Sequence, residues 1–593
     1  MMRKSDNGQY RNSGQFLMPP KATCPEKGKY DIYPALDLGP DKIHFSAEDF
    51  AERVGPVPIL LIDGVEGVFW DLIEDHLTRA YVRQGRNLSF VETSSFFKDE
   101  EELRELVSPF LNGDDPVFGR VTTLRLEDWF SRIPVLTPLE GVTTVVIGPG
   151  ASFFHPDAPL AFVELPKNEL QFRMRAGSAT CLGFSEPWDK KQMYRQAFFV
   201  DWVVLGDHKR EILGRLDWLI DSQQIDDIMF MGGDDFRGGL LSMARNTFRV
   251  RPWFEPGVWG GVYMRDHFDG LNRDVENLAW SFELMTRENG LILESDGLRL
   301  EFAFEFLMYA HARDILGRSF DRFGYDFPIR FDFLDTIRGG NLSIQCHPTT
   351  EYIRREFGMP FTQDETYYIL ENEGDSSVYL GFQDDIDKDA FLSALEGSQR
   401  ESREIDIEKY VQRHPLKKHD LFLIPNGTIH GSGSGNLVLE ISSAPYIFTF
   451  KMYDWMRLDT DGKPRPINIR RGMDNVDFSR KGGYVSEHLI CHPYIMWERD
   501  GVKAEHLPTH PEHFYDVFRY TVEASAEFDS DAQADVWMLT EGSSVMLETS
   551  SGMRRRYNYA ETFVIPSACG KYVITNEARG QKAVLVRARV KDE

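Results

Sequence analysis

Gln345 and His347 lie two residues apart in the run LSIQCHPTTEY. On a strand that spacing points both side chains to one face. Glu365 stands at the head of a second apolar run, TYYIL, which also reads as a strand, and His430 follows a Pro-Asn-Gly turn in FLIPNGTIHGSG. A Gln, two His and a Glu converging inside a β-barrel would make a nitrogen and oxygen site for a borderline divalent ion, Zn²⁺ above others. If the four converge, the chain is a metalloenzyme. A single His or Glu beside a strand is more often a surface residue or hydrogen-bonded core, so the joint pattern carries the weight.

The same runs, together with LVLEIS, MYDWMRLDTDGKPRP and an upstream Trp259-Gly260-Gly261, occur in the order expected of a class I (type I) phosphomannose isomerase. The chain resembles that family over roughly its last 350 residues. The resemblance implies a cupin, or jelly roll, that holds one Zn²⁺ through Gln345, His347, Glu365 and His430, with one position open to water or a sugar hydroxyl. The implied reaction interconverts mannose 6-phosphate and fructose 6-phosphate through a cis-enediol. Such a reaction needs a base and a stabiliser for the developing oxyanion. The matching positions are Glu440 on a strand, then Lys451 and Arg457. The bland reading makes Glu440 an ordinary strand carboxylate and pairs Arg457 with Asp454 or Asp459.

The chain departs from the family pattern at several cations. Thr362, Gln363 and Asp364 precede Glu365 without the Lys usual before the Thr. Lys451 stands where an Arg is usual, Asn468 where many relatives carry a His, and Asp332 where a Lys is looked for. Arg330, Arg338, Lys451, Arg457, Arg470 and Arg471 are the candidates to compensate. These changes bear on the substrate rather than on the metal. Two alternatives therefore stand beside the leading one: an isomerase of another sugar or sugar phosphate, and a catalytically impaired regulatory protein that binds a sugar phosphate.

The elements that must position these groups are legible in texture. From Arg249 onward, short strands alternate with Gly, Pro and Asp turns, which suggests a jelly roll. One helical patch, GLRLEFAFEFLMYAHARDILG, interrupts it near residues 298–317. A second strand-rich block after about Tyr515 suggests a smaller cupin barrel; it has no His after His513, so no second metal is expected. Upstream, PILLIDG, TTVVIGPGASFF and LAFVELP alternate with helical runs, as in an α/β domain with a largely parallel sheet. The expected fold is thus multidomain. It has an N-terminal arm (1–57), an α/β domain (58–245), a metal-binding cupin with a helical insert (246–475) and a C-terminal barrel without metal (476–593).

PILLIDGVEGVFWDLI sits where a P-loop would, and DDPVFGR, VVIGPGA and FVELPKNELQFRMRAG resemble uridine kinase or phosphoribulokinase segments in the right order. A working P-loop needs Gly-Lys-Ser/Thr at the helix start. Here Gly67 is followed by Val68 and Phe69, with Glu66 before it. The expected domain is a degenerate P-loop fold without kinase activity.

Composition narrows the partners. The 593-residue chain has a net charge of −27, which argues against non-specific nucleic acid or acidic membrane binding. The five cysteines, Cys24, Cys181, Cys346, Cys491 and Cys569, are scattered without a CxxC pair. That fits a reducing, cytoplasmic setting. MMRKSDNGQYRNSG has no apolar run behind its charges, so no secretory signal is expected, and no stretch is apolar enough to span a bilayer. The expected partner is a small sugar phosphate; the oligomeric state is not legible.

Overall fold

The computed structural model describes residues 9–22, 27–113, 115–459, 462, 465, 467–578 and 580–592. Cys24 and most of the 460–466 run lie outside the described residues.

The N-terminal half is built on a seven-stranded sheet in the order Ile43–Phe45, Met229–Gly232, Trp218–Asp221, Leu160–Glu164, Ile59–Gly64, Val142–Ile147, Asn87–Glu92. Its last five strands run parallel, and Met229–Gly232 and Ile43–Phe45 add an antiparallel edge. The central strands are continuous apolar runs, as strands buried on both faces require; every residue of Ile59–Gly64 is buried. The sheet begins earlier than the expected boundary at 58. Ile43–Phe45 joins its edge, and the helix Ala47–Val54 turns a stripe of Phe50, Ala51 and Val54 inward. The arm before it also docks: Ala35–Asp37 pairs in parallel with Gly290–Ser295 of the following unit.

The next unit is two antiparallel sheets. One has six strands, ordered Leu421–Ile424, Glu365–Asn372, Asn436–Ser443, Ile329–Asp335, Trp280–Leu284, Trp253–Glu255; the other has five, ordered Val411–Pro415, Ser377–Phe382, His430–Ser432, Ile344–Cys346, Phe450–Tyr453. A third unit carries a six-stranded and a four-stranded antiparallel sheet between Tyr494 and Val590.

The patch expected to be helical from 298 to 317 divides. Leu298–Ala303 is a strand paired with Gly290–Ser295 across an Asp296-Gly297 turn in which both residues have positive φ, 49° and 76°. That is the Asx-Gly hairpin signal, and Leu298, Leu300 and Phe302 alternate with Arg299 and Glu301 as a strand requires. Only Glu305–Leu316 is helical, and it lies against the helices Gly233–Arg245 and Trp202–Ile212 of the α/β unit. The two units are joined by this helix as well as by the arm.

Candidate metal centre and its cavity

Both sheets of the middle unit contribute to one point. Gln345 is centred in Ile344–Cys346, opposite His430 on one neighbouring strand and Lys451 on the other. His347 follows directly, and Glu365 opens a strand of the facing sheet. The side chains of His347, Glu365 and His430 each bring a ligand atom within 4.8 Å of the others, and all three are buried. His347 Nε2 lies 2.8 Å from one Glu365 oxygen, and His430 Nε2 lies 3.3 Å from the other. Gln345 Nε2 is 3.3 Å from His430 Nε2.

Each imidazole is oriented from behind. The second ring nitrogen, Nδ1, faces a backbone carbonyl: Phe448 at 3.0 Å for His347 and Thr428 at 2.9 Å for His430. A proton held on Nδ1 leaves Nε2 as the lone-pair nitrogen, which is the arrangement that prepares a histidine for a metal. His347 Nε2 and a Glu365 oxygen are buried without a hydrogen-bond partner. Buried orphans of this kind cost free energy unless something else satisfies them. The donor set therefore fits a divalent ion with nitrogen and oxygen preference. Burial works to raise the Glu365 pKa, but His347 and His430 hold it well below the usual carboxylate range. The Gln363 amide also donates to Glu365.

The centre opens on a cavity of about 280 Å³. Gln345 and Glu365 line it, with Trp259, Trp280 and Tyr446 among its walls. Glu440 and Lys451 line it as well. Arg330 anchors the acidic side: it donates to Glu440 and to Ser442 Oγ (2.9 Å), and stands 3.0 Å from Asp332 and 3.9 Å from Glu365. Strand register explains the cluster, since Asp332 and Glu440 are directly opposed. Two carboxylates so placed repel unless a cation lies between them. Burial, partly relieved by Arg330, lifts Asp332 to about 7.

Lys451 is the counterpart. Among the described residues, no carboxylate lies within ion-pair distance of its ammonium. Burial, followed by repulsion from Arg465, lowers its pKa to about 8. Arg465 also lines the cavity but is held by Asp454 at 2.7 Å. Arg457 does not reach the cavity; its guanidinium donates to the Asn341 carbonyl and braces that loop. Sequence reasoning missed Tyr446 and Gln363 as parts of the site. The spacing of Gln363 two residues before Glu365 on an extended segment was the available signal.

The turn between Ile59–Gly64 and the helix Trp70–Arg83 is closed around Asp63, with Glu66 Oε1 buried and without a partner. Asp63 is buried and fully engaged, accepting from the Gly64, Gly150 and Ser152 amides (2.8, 2.8 and 2.9 Å) and facing His208 Nε2 at 2.9 Å. Arg173, itself buried, donates to the Gly67 carbonyl at 2.8 Å and lies 4.1 Å from the centre of the Phe69 ring. Burial, and then Asp201, raise Glu66 to about 8. Nearby, Lys167 and Lys209 both bind Glu305 (2.5 and 2.7 Å), the first residue of the inter-unit helix.

A two-sheet β unit with a buried His-Glu-His group is the class that this geometry defines. The chain is homologous, at low identity, to mannose-6-phosphate isomerases. Mannose-6-phosphate isomerase ManA of Bacillus subtilis is 25% identical over 253 residues, 43% of this chain and 74% of the relative. The probable mannose-6-phosphate isomerase GmuF of the same organism is 22% identical over 325 residues, 55% of this chain and 95% of the relative. The crystal structure of the mannose 6-phosphate isomerase from Bacillus subtilis aligns with a TM-score of 0.49 at 19% identity, over 58% of this chain and all of the other. Residues 43–245 match a family described as a domain of unknown function (DUF8485).

Proposed function

We propose that the middle unit is a zinc-dependent aldose–ketose isomerase acting between mannose 6-phosphate and fructose 6-phosphate. The observation that carries this is the pair of prepared, buried histidines beside Glu365, opening on a carboxylate-lined cavity in a chain homologous to such isomerases. Gln345, His347, Glu365 and His430 would hold the ion, which supplies Lewis-acid polarisation of the sugar oxygens when bound. Glu440 is the carboxylate that takes the proton from C2 and returns it at C1. Arg330 donates to it and fixes its direction. Lys451 supplies positive charge to the oxyanion or to the phosphate. Trp259, Trp280 and Phe282 wall the cavity and limit water around the enediol.

A coupled assay of the purified chain on mannose 6-phosphate tests this reading. Turnover that chelator removes and Zn²⁺ restores supports it; no turnover with metal bound rejects it. A second reading has its own support. Of the cavity's cations, Arg330 and Arg465 are held by carboxylates, so a phosphate would find Lys451 alone uncommitted among the described residues. That favours a substrate with less charge, and mannose and fructose belong in the same assay.

We further propose that the α/β unit is a kinase-like fold without nucleotide chemistry. Taken in chain order from Ile59–Gly64, its five parallel strands lie in the order 2-3-1-4-5. The turn at residues 65–69 offers no Lys and no hydroxyl.

A further inference from the structure

A second cavity, of about 280 Å³, lies between the α/β unit and the middle unit. It shares no lining residue with the cavity beside the metal centre. The α/β side contributes Trp202, Asp207 and Arg210; the other side contributes Arg287, Tyr309 and the rim pair Tyr325 and Asp326. Its ionisable groups divide into committed and uncommitted. Arg210 holds Asp207 at 2.7 Å, and Lys167 holds Glu305 at 2.5 Å. Arg287 and Asp326 line the same space and act on each other through their charges, but neither has an ion-pair contact within 4.0 Å among the described residues. The Arg287 guanidinium lies 4.9 Å from the centre of the Phe198 ring, a contact that fixes its plane without using its N–H groups. The Trp202 indole N–H is buried, with the residue 7% exposed, and has no acceptor. Tyr325 and Asp326 are exposed at the rim, which leaves a way in.

We propose that this cavity binds an uncharged sugar ring. The uncommitted charges are one cation and one anion, so the cavity has no net preference for a phosphate, and Asp326 would repel one. A planar guanidinium and a carboxylate together can donate to and accept from neighbouring hydroxyls. Trp202, one of the wall residues, carries an indole N–H without an acceptor. Aromatic rings suit the apolar C–H side of a pyranose; here Lys167 lies against the Trp202 ring and Arg210 against those of Tyr309 and Tyr325, so the walls mix aromatic and polar groups. The volume suits a single ring rather than an oligosaccharide. The site would also adjoin the catalytic cavity. Phe282 and Met285 line the metal-bearing cavity, Thr286 and Arg287 line this one, and Glu288 hydrogen-bonds Tyr446 of the former.

Isothermal titration of the full chain with D-mannose, D-glucose and D-fructose, and with mannose 6-phosphate as the charged arm, tests the proposal without reference to isomerase activity. The expected result is binding of a neutral sugar that weakens at least tenfold in Arg287→Ala and in Asp326→Asn but persists in Lys451→Ala. Tyr325→Ala, at the exposed rim, is the variant least able to disturb folding, and it too should weaken binding. Binding that is lost in Lys451→Ala and kept in Arg287→Ala belongs to the metal-bearing cavity and overturns the proposal. So does the absence of neutral-sugar binding, or binding of mannose 6-phosphate alone.

Discussion

The cavity beside His347, Glu365 and His430 and the turn at residues 63–69 are both strand-end sites lined by ionisable residues, and they differ in which groups are gathered there. At the turn, Asp63 accepts three amide hydrogens and faces His208, the Gly67 carbonyl is taken by Arg173, and Phe69 stacks on that arginine. At the cavity, His347 Nε2, 2.8 Å from one Glu365 oxygen, and the other Glu365 oxygen, 3.3 Å from His430 Nε2, make no hydrogen bond, and no carboxylate among the described residues lies within ion-pair distance of Lys451. The turn is not free of orphans, since Glu66 Oε1 and Arg173 Nε are buried without a partner, but among the described residues it brings no group of metal-ligating side chains together. A fold that orients two histidines from behind, and leaves the outer nitrogen of His347 without a hydrogen bond, has prepared a ligand site.

The largest effect that can break this contrast comes from His430. His430→Ala should remove isomerase turnover below detection in the coupled assay; retained turnover would take the cluster out of the chemistry. Glu440→Gln should lower kcat by ~10²-fold or more while the ion stays bound, the range for losing a general base. An unchanged kcat would assign proton transfer elsewhere.

Smaller effects follow from charge. Lys451 loses its proton above about 8, so a sugar phosphate should bind more weakly as pH rises through that value. KM for a phosphorylated substrate should climb there, and KM for an unphosphorylated one should not. A bound dication would move this transition to lower pH. Because the folded pKa lies below that of a free lysine, holding Lys451 costs stability below about 8, and that cost fades as pH rises toward the free value. A flat KM profile across this range would remove Lys451 from substrate binding.

The smallest effect belongs to the turn. Gly67 has φ of 74°, and a Cβ there would meet Leu170 Cδ1 at 2.4 Å. Gly67→Ala should therefore cost ~1–3 kcal/mol, visible as a lower unfolding temperature with kcat unchanged. Mg-ATP and Mg-GTP should give no heat with the full chain. Micromolar binding would show that the turn is a working nucleotide site.

The cluster was legible because its signals are local. Gln345 and His347 are two apart where a strand ends, and a Pro-Asn-Gly turn delivers His430. What gathers around Glu440 was not legible as a network. Arg330, Asp332 and Glu440 meet only through the register of Ile329–Asp335 against Asn436–Ser443, which one sequence does not reveal. Arg457 failed to reach the cavity for a similar reason: its loop turns it toward Asn341. The hairpin at Asp296-Gly297 was readable from its turn residues and lost to the stronger 3–4 periodicity of the helix that follows. The start of the α/β sheet at Ile43 was hidden because a three-residue edge strand carries too little pattern to separate it from an arm.

Metal analysis of the purified chain, with His347→Ala as the control, bears most directly on the central claim. One divalent ion per chain, Zn²⁺ by element analysis, should be present in the parent chain and absent from a folded His347→Ala. A parent chain that carries no stoichiometric metal after exposure to Zn²⁺, or a His347→Ala chain that keeps it, would contradict the account.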